Sequence, residues 1–116
     1  MNIPIKIAGL GFQVPKTVIT NDDLTKIIDT SDEWIRTRTG IERRHVLSGN
    51  ESAVEMGIGA AKKALEKAKI NVEDIDYIIA AASLGTHIYP SSACEIQAAV
   101  GAVNAACFDI TAACSG

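Results

Sequence analysis

Tyr77-Ile78-Ile79-Ala80-Ala81-Ala82 is an unbroken apolar run with no polar residue alternating through it. A strand that faces water on one side alternates apolar and polar side chains. A run like this one predicts burial on both faces, as in a parallel sheet between helix layers. The acidic connection 71–76 precedes it, and before that lies the strongest helical pattern in the chain. Ala53, Met56, Gly57, Ala60, Ala61, Ala64, Leu65 and Ala68 recur at 3-4 spacing, with Lys62, Lys63, Glu66 and Lys67 between them. Ser52 and Glu55 form a capping box at its start. Because the stripe is mostly Ala and Gly, this helix is expected to lie unusually close to its neighbour.

Toward the C-terminus, residues 83–89 read as a loop. Residues 90–95 contain a second capping box, opening a helix that runs through Ile96, Ala99 and Val100 to a stop at Gly101. Residues 105–110 form a third apolar run, and Thr111 ends it. Toward the N-terminus, residues 3–11 carry Ile5, Ile7 and Leu10 and predict a first strand. Thr20 or Asn21 caps a short helix to about Ile28, and residues 29–35 open another. Strands alternating with helices predict an α/β layered fold.

The chain has 116 residues, 47% of them apolar and 22% charged, with a net charge of −3. That is room for one domain with a modest core and ordinary globular composition. A weakly acidic balance gives no general attraction to nucleic acid or an anionic membrane. Residues 77–94 lack any charge, but Gly85, His87, Pro90, Ser91 and Ser92 interrupt them, against a membrane span. The N-terminus lacks the pattern of a signal peptide. Cys94, Cys107 and Cys114 form no zinc-like spacing, and an odd count fits a reducing cytoplasm. A disulfide between Cys107 and Cys114, which flank a turn, stays open on sequence grounds.

Ala112-Ala113-Cys114-Ser115-Gly116 surrounds a cysteine with small residues at a strand-to-helix turn. Unpaired N–H groups and the dipole of a helix start favour a nearby thiolate and the oxyanion of a thioester under attack. Tight packing around an inert thiol gives the same pattern. Four of the eleven basic residues fall within positions 36–45, just after Trp34, the only tryptophan. An indole stacks on an adenine ring and guanidinium groups pair with phosphates. On spacing alone, a Trp anchoring a short helix beside a solvated basic loop is the better reading. His87 is a poor general base, since nothing in the sequence sets it beside Cys114. Asp109, inside a strand, is expected to accept local hydrogen bonds as a support residue.

Asp109-Ile110-Thr111-Ala112-Ala113-Cys114-Ser115-Gly116 resembles the active-site motif of the β-ketoacyl-acyl carrier protein synthase III family of condensing enzymes. Thr30-Ser31-Asp32-Glu33-Trp34-Ile35, followed after Arg36 by Thr37-Arg38-Thr39-Gly40-Ile41, resembles the long signature near that family's N-terminus. Thr86-His87-Ile88-Tyr89-Pro90-Ser91-Ser92 is similar to its loop across the homodimer interface. The resemblance implies the N-terminal part of a thiolase-like αβαβα layered fold with a mostly parallel, buried sheet. It implies Cys114 as nucleophile, Trp34 and Arg38 on coenzyme A with Thr30 and Thr39 around it, and Tyr89 at the partner's acyl pocket. Arg36, Arg43 and Arg44 are left as surface charge.

The implied reaction takes an acyl group from acyl-coenzyme A and condenses it with malonyl-acyl carrier protein. It implies no metal and no cofactor beyond the thioester substrate, and a cytoplasmic homodimer that binds neither nucleic acid nor membrane. The family's catalytic His and Asn come from later in its chain. Residues 1–116 are therefore expected to be an incomplete N-terminal domain ending just after the nucleophile turn, unable to finish the condensation alone. Related thiolase-fold synthases (hydroxymethylglutaryl-coenzyme A synthase, quinolone-type ketosynthases) share the cysteine turn. A non-catalytic piece that assembles with a complementary chain, and a redox pair of Cys107 and Cys114, are the other readings.

Overall fold

The computed structural model describes residues 4–83, 85 and 87–116. Ile3 of the expected first strand, Leu84 of the loop, and Thr86 of the loop and the interface motif lie outside them. The chain forms two compact units, Val14–Glu51 and Met1–Gln13 with Ser52–Gly116.

In the first unit, β1 (Thr17–Thr20) runs into α1 (Asn21–Leu24), then α2 (Asp32–Thr39) and β2 (Arg43–Val46). The two strands pair antiparallel, Thr17 opposite Val46 and Thr20 opposite Arg43. Thr20 caps α1 and Asp23 returns the bond to the Thr20 N–H at 3.1 Å. The helix stops after one turn, short of the Ile28 expected, as the Lys26 and Ile27 N–H groups shift to the tighter i−3 bonds with the Asp23 and Leu24 carbonyls. Ser31 caps α2, and Gly40 at φ 72° ends it in the left-handed conformation that glycine adopts without a Cβ clash.

Asn21 is the residue this unit is built on. It is 1% exposed. Its Nδ2 donates to Asp32 Oδ1 and to the Ile41 carbonyl, both at 2.8 Å, and its Oδ1 accepts from Arg44 Nη2 at 2.7 Å. A buried amide with these partners is satisfied rather than costly. Arg44 is therefore a partly buried structural residue and not the surface charge expected. Arg36 is exposed and pairs with Asp32 and Glu42.

In the second unit, α3 (Ala53–Ala68) precedes β3 (Tyr77–Ala81), and α4 (Ser92–Val100) precedes β4 (Ala106–Ile110). The strands pair parallel, Tyr77 opposite Ala106 and Ala81 opposite Ile110. The capping box of Ser52 and Glu55 opens α3 as expected. Gly101, at φ 83°, closes α4.

The Ala/Gly stripe of α3 does allow close approach. A Cβ on Gly9 would lie 2.5 Å from the Ala64 carbonyl oxygen, and one on Gly11 would overlap that of Ala60. On another turn, a Cβ on Gly57 would lie 2.8 Å from Ile96 Cδ1 of α4. Residues 4–11 are thus held against a helix backbone and pair with no strand among the described residues. The first strand expected there is not formed, and Ile5 and Ile7 stand exposed. Apolar content predicts an extended segment, whereas a strand also needs a neighbour to complete its ladder.

Helix α4 packs on β3, β4 and α3. Alternation along the strands then decides burial. Ile78, Ala80, Cys107 and Asp109 face inward, while Tyr77, Ile79, Phe108 and Ile110 form an exposed apolar face. The apolar run of β3 is therefore covered on one side rather than both. The start of α4 also differs from expectation. Ser91, not Ser92, is the N-cap and accepts from the Cys94 N–H, so Glu95 falls one place beyond the box and instead faces His87 Nδ1 at 3.3 Å. Among the described residues no helix is long and apolar enough to cross a membrane.

Candidate active site

The chemistry-bearing turn hangs from β4. Asp109 points inward there because it lies two residues from Cys107 on the same face. Its carboxylate accepts from the Ala93 N–H at 2.8 Å and the Ser92 N–H at 2.9 Å, the unpaired donors of the first turn of α4. The Ala93 bond above all, with the Ser92 bonds behind it, holds the Asp109 carboxyl below its ordinary value, against the opposing effect of burial. The support role expected of Asp109 is what its geometry provides. It fixes the strand end from which the turn departs.

Past Ile110 the chain folds into a 3-10 turn, Ala113–Ser115. The Ser115 and Gly116 N–H groups close it onto the Ala112 and Ala113 carbonyls at 3.0 and 3.3 Å. Ala113 has φ 47°. A non-glycine residue there is strained by about 1–2 kcal/mol, a cost that clusters at functional turns. Cys114 follows directly and is exposed. A Cβ on Gly116 would lie 3.4 Å from Ile110 Cγ2 and 3.5 Å from Ala81 Cβ. The turn therefore sits at the carboxyl ends of both parallel strands, where α/β sheets bind ligands.

A cavity of about 360 Å³ at the same end of the strands is lined by Ala82, Ser83, His87, Asp109 and Thr111, among others. His87 itself pairs with Glu95. Tyr89 is exposed.

In the unit Val14–Glu51, α2 brings Trp34 and Arg38 together at i and i+4. The Arg38 guanidinium carbon lies 4.8 Å from the indole centroid, a cation–π contact, while Trp34 stays 55% exposed. A hollow of about 500 Å³ beside the ring is lined by Ile28, Asp29, Thr30, Ser31 and Trp34. Thr39 is committed elsewhere. Its hydroxyl donates to the Ile35 carbonyl at 2.7 Å and accepts from the Ile41 N–H at 3.1 Å, closing α2. Thr30, Trp34 and Arg38 thus form a group on one surface, and Thr39 supports the helix under it.

No family model matches the chain. Individual proteins do. The β-ketoacyl-[acyl-carrier-protein] synthase III of Clostridium botulinum strain 657 is 51% identical over 112 residues, 97% of this chain and 34% of that protein. Synthase III 1 of Vibrio vulnificus strain YJ016 is 49% identical over 96% of this chain and 35% of its own length. The crystal structure of 3-oxoacyl-[acyl-carrier-protein] synthase III from Aquifex aeolicus VF5 superposes with a TM-score of 0.89 at 49% identity, covering 96% of this chain and 36% of that one.

This chain is similar to synthase III proteins. It spans about a third of the length of the synthase III relatives it matches. A priming β-ketosynthase of the R1128 polyketide pathway superposes as well, with a TM-score of 0.87 at 30% identity over 97% of this chain and 35% of that one. The α/β architecture is thus that of synthase III.

Sequence reasoning missed two features beside the synthase III motifs. Asn21 looked like a helix cap, and only its burial marks it as a hub. Cys107 meets Cys94, with the sulfurs 3.0 Å apart, and not Cys114 as considered from sequence.

Proposed function

We propose that these residues carry the acyl-accepting part of a synthase III-type condensing enzyme that initiates fatty-acid synthesis. Cys114 attacks the thioester carbonyl of an acyl-coenzyme A, the C–S bond to coenzyme A breaks, and the acyl group passes to the protein as a new thioester. The Cys114 backbone N–H stabilises the oxyanion. The observation that carries this reading is the exposed Cys114 after a positive-φ Ala113, on a turn at the carboxyl ends of two parallel strands.

The Trp34 face takes the adenine of coenzyme A, Arg38 meets its phosphates, and Thr30 walls the adjoining hollow. Thr39 acts by holding the end of α2. Tyr89 walls the acyl pocket of a homodimeric partner. The acyl-enzyme then condenses with malonyl-acyl carrier protein with loss of carbon dioxide, assisted by a His and an Asn. His45, bonded to the Pro15 carbonyl at 2.7 Å, and His87, paired with Glu95, are both engaged otherwise, so neither is assigned that step. The reading needs no metal and no cofactor besides the thioester, and suits a cytoplasmic enzyme that acts on neither nucleic acid nor membranes. These residues make an incomplete N-terminal domain by this account.

Mixing the protein with acetyl-coenzyme A is expected to release coenzyme A in a single burst of one equivalent per chain, followed by chromatography. No burst, or an equal burst from Cys114→Ser, contradicts the reading. The R1128 likeness favours a second reading, a priming ketosynthase of another pathway. A panel of acyl-coenzyme A donors separates the two by preference.

A further inference from the structure

Away from Cys114, the second unit holds a pair of thiols that the condensation does not use. Cys94 is the third residue of α4 and Cys107 the second of β4. Their sulfurs are 3.0 Å apart, about 1 Å beyond the length of a disulfide bond. The approach follows from the fold. The inward face of β4 carries Cys107 and Asp109 in succession, and the Asp109 carboxylate pins the Ser92 and Ala93 N–H groups. The next residue of that first turn is Cys94. It is thereby set over Cys107.

The two thiols are not equivalent. The Ser91 hydroxyl donates to Cys94 Sγ at 3.3 Å, and the Cys107 thiol is in position to donate to it as well. Cys107 Sγ also lies 3.5 Å from Gln97 Oε1, an acceptor that suits a protonated thiol. Donors converge on one sulfur and an acceptor faces the other. The Cys107 contact, followed by the Ser91 hydroxyl, lowers the titration of Cys94, while the same contact and burial raise that of Cys107. Both side chains are only part-buried.

We propose that Cys94 and Cys107 are a thiol–disulfide exchange site, separate from the Cys114 nucleophile, whose co-reactant is a small-molecule disulfide. The Cys94 thiolate attacks one sulfur of RS–SR, forming Cys94–S–SR and releasing one RS⁻. Cys107, as its S–H proton passes to the released thiolate, attacks Cys94 Sγ and expels the second RS⁻. The dithiol is oxidised, the small disulfide is reduced to two thiols, and the bond formed ties the first turn of α4 to β4. Cys114 takes no part in that bond.

The test uses oxidised glutathione, with thiols counted by alkylation and intact mass. In the native chain Cys94 and Cys107 are both expected to be lost to a bridge that carries no glutathione, with any glutathione mass confined to the exposed Cys114. In Cys114→Ser the count falls from two to none, and Cys107→Ser retains one glutathione on Cys94. In the unsubstituted chain, cleavage after Glu95 without reductant leaves the two flanking peptides joined, which needs no variant to fold. A count that stays at three, a bridge abolished by Cys114→Ser, or glutathione held by Cys107 in Cys94→Ser but not by Cys94 in Cys107→Ser overturns the proposal.

Discussion

Strand β4 leads to two thiol environments, one within it and one just beyond its end. Cys107 lies in the parallel ladder, its backbone regular, its side chain under α4 and against Cys94. Cys114 lies past Ile110 on a strained 3-10 turn, exposed, with its neighbours Ala112, Ala113, Ser115 and Gly116 all small. The strand sets both. Within the ladder, period-2 alternation aims a thiol at a fixed partner. Beyond it, the turn leaves a thiol exposed, as the proposed attack on a thioester requires. On the two proposals, the same side chain serves exchange with a neighbour in one place and attack on a ligand in the other.

Breaking this contrast starts with the nucleophile. Cys114→Ser is expected to slow coenzyme A release from acetyl-coenzyme A by roughly a thousandfold or more. The double variant Cys94→Ser, Cys107→Ser should stay within about threefold of the unsubstituted protein, because neither thiol touches the reacting atoms. Comparable losses in the two would erase the distinction.

Asp109 lies between the two environments and serves both. Asp109→Ala should cost about 2 kcal/mol in urea unfolding, since it leaves two helix-start N–H groups without their charged acceptor. Its pH dependence has a fixed sign. The folded value lies below the ordinary 3.8, so the stabilisation is complete above that value and is lost as pH falls through the lower, folded one. The stability gap between the unsubstituted protein and Asp109→Asn should be widest at neutral pH and narrow below 3.8.

Much of this arrangement was legible beforehand, and for local reasons. Ser52 with Glu55, Gly101, and the two apolar runs that became β3 and β4 each act through a few adjacent residues. The closeness of α3 to its neighbours was readable from its Ala/Gly stripe. What was not legible depends on partners distant in the chain. Residues 3–11 have strand composition, yet the described part of that segment packs on a helix. Arg44 sits in a run of basic residues, yet Asn21, 23 positions away, takes it inward. The pairing of Cys107 with Cys94 needs the register of α4 on β4, which no spacing rule contains. Around Cys114 the motif itself was readable, but the 3-10 form of its turn was not.

Smaller effects sharpen the contrast further. Trp34→Ala should raise KM for acyl-coenzyme A by about tenfold, the loss of one stacking face, while glutathione-driven closure of Cys94 and Cys107 is unchanged. Gly101→Ala should cost about 1 kcal/mol in thermal or urea unfolding by forcing a Cβ into the left-handed cap, with Cys114 acylation unaffected under folding conditions.

The most direct measurement locates the acetyl group among the three cysteines after exposure to acetyl-coenzyme A, by peptide mass mapping under conditions that preserve thioesters. Acetyl on Cys114, with Cys94 and Cys107 unmodified, is the predicted result. Acetyl on Cys94 or Cys107 with Cys114 unmodified would contradict the account at its centre.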